Sequence, residues 1–321
     1  GALLFTLVAS LSGAPLVRPQ RLRLLMVPVL GVMLGAGFTP EAVGHIAEWL
    51  ASVSMLLVYA LGVTAMVSYY LVSVVRWDAA TAYFSASPGG FSEMALIGES
   101  MGADDRKISL IHSIRITLTV LIIPFWFKFF EGYEPGNMTA LGNMADIRLI
   151  DAAILIACAV VGFVVARRLR LPAAQLLGPT LISAVVHMTG VTEARPPQEI
   201  IALAQVVIGA SIGCRFLGVS LRHVFGTMAR AAAITVFILC TALGAAYLVH
   251  LVTGLPVKTV WLAFAPGGLA EMTLISLSLG IDVAFVSVHH MVRVLFLVAM
   301  APIAFKLLRG VLERAEAASK A

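Results

Sequence analysis

Pro88-Gly89-Gly90-Phe91-Ser92-Glu93-Met94 returns 178 residues later as Pro266-Gly267-Gly268-Leu269-Ala270-Glu271-Met272. The register continues past the motif without a gap. Across 88–128 set against 266–306, 17 of 41 positions are identical. Gly102, Asp104, Ser109, His112, Arg115, Pro124, Phe127 and Lys128 recur as Gly280, Asp282, Ser287, His290, Arg293, Pro302, Phe305 and Lys306. Upstream, Gly31, Gly35, Phe38 and His45 match Gly209, Gly213, Phe216 and His223. The chain is an internal duplication. Matching Leu and Val would carry little weight in apolar segments. Matching Glu, His and Arg does, because each is costly in such surroundings.

The surroundings are apolar enough to define the protein class. Apolar residues make up 60% of the chain and charged ones 12%, against about 25% charged in a soluble domain. The runs 46–75, 106–130, 148–166, 223–253 and 283–308 have the length a helix needs to cross about 30 Å of hydrocarbon. The alternating segments of about ten residues that mark a transmembrane barrel are absent. This predicts an all-α integral membrane protein. The net charge of +5 is spread as single residues or triplets between apolar runs, a topology signal with no phosphate-binding stripe, so nucleic acid is excluded as a partner. Cys158, Cys214 and Cys240 have no CxxC spacing and read as packing residues.

The duplication divides the chain into repeat 1 (1–130), a linker (131–147), repeat 2 (148–308) and a polar C-terminal tail (309–321). Gly1 aligns with Pro179, so the N-terminal part of repeat 1, the counterpart of 148–178, is missing or divergent.

Judged by repeat 2, each copy has six apolar segments: 148–166, 173–190, 198–216, 223–253, 258–280 and 284–308. Loop charge decides their orientation. Arg18, Arg21 and Arg23 make the first-copy connection at 18–23 basic, and 39–48 carries Glu41 and Glu48. The second-copy equivalent of the basic connection, near 191–199, holds Glu193, Arg195 and Glu199. Its neighbours are the basic ones, with Arg167, Arg168 and Arg170 on one side and Arg215, Arg222 and Arg230 on the other. Positive-inside then puts matching loops on opposite faces, and the repeats are inverted. Inversion needs an odd number of crossings, so one segment enters and leaves on the same side. The Pro-Gly-Gly segment is the candidate, since Pro cannot continue a helix ladder and two glycines permit a sharp turn. Arms at 79–87 and 90–102, and at 257–265 and 268–280, suit half-membrane lengths; a kinked crossing helix is the alternative. Each repeat thus has about five transmembrane helices plus one re-entrant or broken Pro-Gly-Gly helix. Inverted repeats with interrupted helices characterise secondary transporters.

The doubled Pro-Gly-Gly-x-x-Glu-Met, the paired His-x-x-Arg and the stretch Leu171-Pro172-Ala173-Ala174-Gln175-Leu176-Leu177-Gly178-Pro179 resemble the bacterial AbrB-type membrane family, defined by a membrane AbrB duplication. Its members are often labelled ammonia monooxygenase. The resemblance covers essentially the whole chain. It implies a multi-pass protein of the bacterial inner membrane, with transport as the common presumption.

The candidate binding residues are Pro88, Gly89, Gly90 and Glu93 with Pro266, Gly267, Gly268 and Glu271. A helix arm beginning at Gly-Gly offers unpaired N–H groups and a positive dipole end to an anionic group; close helix packing is the plainer role. Glu93 and Glu271 lie in the first turn of the second arm, to carry a proton or cation or to cap the arm's own N–H groups. His112, Arg115, His290 and Arg293 are candidate coupling or ion-pair residues. The arginines suit an ion pair with the glutamates or ligand contact, and the histidines a proton relay or an interhelical hydrogen bond. Asp104 and Asp282 follow a Gly and read as turn residues.

The sequence therefore predicts a secondary transporter of a small, charged solute, working by alternating access with its site near the midplane at two broken-helix tips. Its expected partners are that solute, membrane lipid and a coupling proton or cation, with a homo-oligomer open. A membrane sensor or regulator without transport, and an intramembrane metal-dependent oxygenase, are the alternatives. The oxygenase is disfavoured because the seven histidines show no HxxxH or HExxH. No catalytic residue, metal ligand set or cofactor is assigned.

Overall fold

Long apolar runs free of turn chemistry become long helices, and Pro-Gly-Gly interrupts one in each copy. The computed structural model describes residues 1–38, 46–132, 144, 147–217 and 221–320, with backbone alone at 46–48, 221–227 and 320. Glu41, His45 and most of the linker, with the side chains of Glu48, Arg222 and His223, lie outside the described residues. Among the described residues the chain forms thirteen α-helices and no strand. They are α1 (Ala2–Leu11), α2 (Gln20–Gly35), α3 (Ile46–Ser73), α4 (Ala79–Ala86), α5 (Phe91–Ser100), α6 (Asp105–Phe130), α7 (Leu149–Arg168), α8 (Ala174–Met188), α9 (Gln198–Gly213), α10 (Leu221–Thr253), α11 (Val257–Phe264), α12 (Leu269–Ser278) and α13 (Val283–Lys320). Shifted by 178, the bounds of α2, α4 and α5 fall on those of α9, α11 and α12, and α6 and α13 begin at equivalent residues. Helix α7 precedes Pro179, the residue that aligns with Gly1.

Six helices among the described residues are long and apolar enough to cross a membrane: Trp49–Ser73, Asp105–Phe130, Leu149–Arg168, Gln198–Phe216, Met228–Thr253 and Val283–Ser319. Large apolar side chains stand exposed along them, Val58, Ile156, Leu248 and Leu307 among others. Lipid is the solvent that tolerates such a surface. The chain is a multi-pass membrane protein. Pro124 and Pro302 sit inside α6 and α13 at equivalent positions, as membrane helices permit where neighbours re-satisfy the freed carbonyls.

The residues gather into two compact units, and each draws on both copies. The first unit comprises Gly1–Ala47, Ile122–Val224 and Leu269–Ser287; the second comprises Glu48–Leu121, Phe225–Gly268 and Val288–Ala321. Lipid tails are as apolar as Leu, so helices in a bilayer associate through close packing, which small residues permit. The first unit is built this way. A side chain at Gly31 or Gly35 of α2 would strike the α8 backbone, with Leu176 O at 2.6 Å from the first and Thr180 O at 2.5 Å from the second. The equivalent Gly213 of α9 lies against Thr6 and Leu7 of α1, and Gly178 of α8 against the Gly162 carbonyl of α7. In the second unit the core is larger-grained. Val67 and Leu71 of α3, Tyr83 and Phe84 of α4, Met94 of α5, Ile238 of α10 and Phe305 of α13 form one buried cluster. Tyr83 and Phe84 both pack on Phe305, with ring centroids 5.3 and 5.5 Å apart.

Candidate functional site

Each broken helix is made the same way. Helix α4 closes when the Ser87 N–H donates to the Tyr83 carbonyl, and α11 when the Ala265 N–H donates to the Trp261 carbonyl. Ser87 and Ala265 then turn extended, with ψ of 125° and 142°, as residues preceding a proline must. The chain restarts as α5 at Phe91 and as α12 at Leu269. In the first copy the N-cap Gly90 has φ −62° and ψ 134°, a conformation open to any residue. The glycines there provide room. A side chain at Gly90 would collide with the Glu93 carboxylate, which folds back over it, and one at Gly89 would meet the Met94 sulfur at 2.9 Å. Glu93 thus occupies the place of a carboxylate capping the first turn of its own helix.

A broken helix leaves carbonyls at the end of its first arm without intrahelical partners, and such groups are expensive in a membrane interior. The repeated His-x-x-Arg supplies the donors. His112 Nε2–H donates to the Phe84 carbonyl at 3.0 Å, and His290 Nε2–H to the Leu262 carbonyl at 3.1 Å. Arg115 Nη1 donates to the Ser87 carbonyl at 3.2 Å, and Arg293 Nη1 to the Ala265 carbonyl at 2.7 Å. Phe84 and Leu262, like Ser87 and Ala265, are 178 apart, so these two bonds of the brace are duplicated in each copy. Arg293 adds a 2.9 Å bond to the Gly267 carbonyl.

The same geometry fixes the histidine protonation. A carbonyl only accepts, so each Nε2 carries its hydrogen, and Nδ1 accepts from the arginine Nη2, at 3.0 Å for His290 and at a long 3.5 Å for His112. An imidazolium would put N–H against N–H, so both rings stand as neutral Nε2–H tautomers. All four side chains are buried.

The arginines hold backbone instead of the glutamates: among the described residues no ion pair joins Arg115 or Arg293 to a carboxylate. Glu93 is half-buried in the second unit, and Glu271 is 7% exposed in the first, where Arg215 lies within its electrostatic reach. Pro88, Gly89, Gly90, Pro266, Gly267 and Gly268 all belong to the second unit; Gly89, Gly90 and Gly268 are half-buried. Asp104 and Asp282 cap helices, accepting from the Arg106 and Lys107 N–H groups and from the Phe285 N–H respectively.

Tyr59 of α3 went unnoticed in the sequence. Its ring stacks on Phe264 at 5.7 Å, its hydroxyl donates to the Ile238 carbonyl at 2.9 Å, and it lies within electrostatic reach of both Arg115 and Arg293. One of three tyrosines in an apolar helix, with Phe237 at its repeat position, offers no signal to a sequence reader.

Spanning helices together with a helix broken and braced identically in each copy define a polytopic membrane protein of duplicated design. The chain belongs to the AbrB family: the family model described as "Transition state regulatory protein AbrB" matches residues 1–309. It is 29% identical to "Uncharacterized protein YhjN" of Bacillus subtilis (strain 168), over 87% of this chain and 77% of that protein. It is 23% identical to "Putative regulator AbrB" of Escherichia coli (strain K12), over 94% and 87%.

Proposed function

We propose that the chain is a secondary transporter of the bacterial inner membrane, moving a small charged solute by alternating access. The observation that carries this is the doubled broken helix. Each copy accepts an interrupted helix and then commits a buried histidine and arginine to stabilising its loose carbonyls. Non-helical backbone at membrane depth is tolerated where it is buried in protein or lines a wet cavity, and paired interruptions are where carriers bind their cargo. On this reading the repeats are inverted, the Pro-Gly-Gly segments are re-entrant, and the solute meets the tips at Pro88–Gly90 and Pro266–Gly268. Glu93, folded over Gly90, is the group for a coupling proton or cation.

Two other readings compete. The relative named a regulator favours a sensor without transport. The oxygenase reading needs histidines free to ligate, yet both ring nitrogens of His112, His290 and His187 are engaged. Purified protein in proteoliposomes separates the three. Solute flux that Gly90→Val abolishes, with the variant still folded, supports a carrier built on the tip. Wild-type protein that moves no solute from a broad metabolite panel and co-purifies with a soluble partner means a sensor; stoichiometric copper or iron means an oxygenase.

A further inference from the structure

One arginine from each copy lies buried inside the second unit. Arg115 is 3% exposed and Arg293 2%, and the two guanidinium groups lie within electrostatic reach of each other. Burying one charge without a counter-charge is costly even at a membrane helix centre. Burying two together costs more.

The neighbours do not neutralise them. No carboxylate pairs with either guanidinium among the described residues. His112 and His290 are neutral by their hydrogen bonds, and Tyr59 has its hydroxyl hydrogen on the Ile238 carbonyl. The carbonyls at the ends of α4 and α11 provide only partial negative charge.

Nor are the donors used up. A guanidinium has five N–H groups. Arg293 directs three at Ala265, Gly267 and His290. Arg115 directs two at Ser87 and His112. The Nε of each is buried with no hydrogen-bond partner. Bracing two broken helices accounts for two guanidinium groups but leaves these buried donors unused.

We propose that Arg115 and Arg293 together form a receptor for one small oxyanion, a carboxylate, phosphate or sulfate group, whose oxygens take the unfilled N–H donors and whose charge offsets both guanidinium groups. Arginine forks match such groups in a planar, two-bond geometry that chloride cannot reproduce. The half-buried Gly89, Gly90 and Gly268 mark the side from which the anion arrives, and the α5 N-terminus beside Gly90 adds a favourable dipole end. Calling the anion cargo rests on the transporter reading; its binding does not.

The test is equilibrium binding to detergent-purified wild-type protein, with sodium phosphate, sulfate and acetate as probes and chloride at matched ionic strength as control. The expected result is saturable binding of at least one oxyanion, one per chain, accompanied by a raised melting temperature that chloride does not give. Arg115→Lys and Arg293→Lys keep the charge and lose the fork, and each should weaken binding at least tenfold, with the double variant little worse than either. A stoichiometry of two, equal binding by chloride, or no binding of any oxyanion, free or carried on phosphatidylglycerol, to the wild type would overturn the proposal whether or not the variants fold. Stabilisation by phosphatidylglycerol nanodiscs and not by free phosphate, lost in both lysine variants, supports the receptor and assigns its oxyanion to a lipid headgroup. Binding without flux leaves the receptor standing and removes the carrier. Flux of a solute by wild-type protein that binds no oxyanion leaves the carrier and removes the receptor.

Discussion

A histidine that donates to a backbone carbonyl 28 residues away stabilises a break in the chain. His290→Leu takes the Nε2–H from the Leu262 carbonyl and leaves a buried acceptor wanting, at a cost of about 1–3 kcal/mol. The melting temperature of the detergent-purified protein should fall, while His290→Gln, which retains an N–H donor, should fall less. The same order is expected for His112 on Phe84. Unchanged melting in both leucine variants would mean the brace contributes no stability. This role was hidden in the sequence for a physical reason. His and Arg three apart announce a shared helix face, but their partners are carbonyls, which every residue carries and no letter distinguishes. The sequence therefore offered the conspicuous opposite charges, Glu93 and Glu271, or a ligand as partners, and gave no sign of the Ser87, Ala265 and Gly267 carbonyls that the guanidinium groups bond.

At the scale of elements, residue chemistry shows most clearly at the helix ends. The expected arms 79–87 and 257–265 became α4 and α11, ending at Ala86 and Phe264, because proline forbids helix at the residue before it. The second arms stopped sooner than expected, at Ser100 and Ser278, where the chain turns through Gly102 and Gly280 at φ of 86° and 61°. The polar tail was legible only as polar. It continues α13 to Lys320, and Glu316 reaches back to accept from the Ala79 N–H at the start of α4. Asp104 starts α6 in the same fashion. Burial pushes its carboxyl up, yet the Lys107 N–H, the Lys107 ammonium at 3.3 Å and the Arg106 N–H outweigh that and hold it below its ordinary value. A carboxylate whose pKa is depressed on folding contributes stability above its unfolded pKa of about 3.9 and loses it as pH falls through the lower folded value. Asp104→Ala should therefore lower stability by about 0.5–2 kcal/mol at pH 7, and the gap between variant and wild-type melting temperatures should narrow below about pH 4. A gap independent of pH would show that charge is not what the cap supplies.

For the whole molecule, duplication and compactness partition the chain differently. Repeats follow the sequence, whereas each compact unit takes pieces of both, and α5 falls in the second unit while its counterpart α12 falls in the first. No run of residues announces such a division, since it depends on which helices meet. Whether the copies run antiparallel across the membrane is decided by sidedness, and the chain offers a matched pair of probes. Arg21 and Glu199 are 178 apart, each the second residue of its helix, α2 or α9, and both are exposed. The basic connection holding Arg21 belongs on the cytoplasmic face, and the mixed one holding Glu199 on the opposite face. With the native Cys158, Cys214 and Cys240 replaced by alanine, Glu199→Cys should react with a membrane-impermeant maleimide added outside right-side-out vesicles. Arg21→Cys should react only after the vesicles are opened. That outcome requires an odd number of crossings per copy and makes the Pro-Gly-Gly element the one that turns back. Both cysteines reacting from one side would instead make the copies parallel, the broken helices crossing segments, and alternating access about an inverted pair untenable.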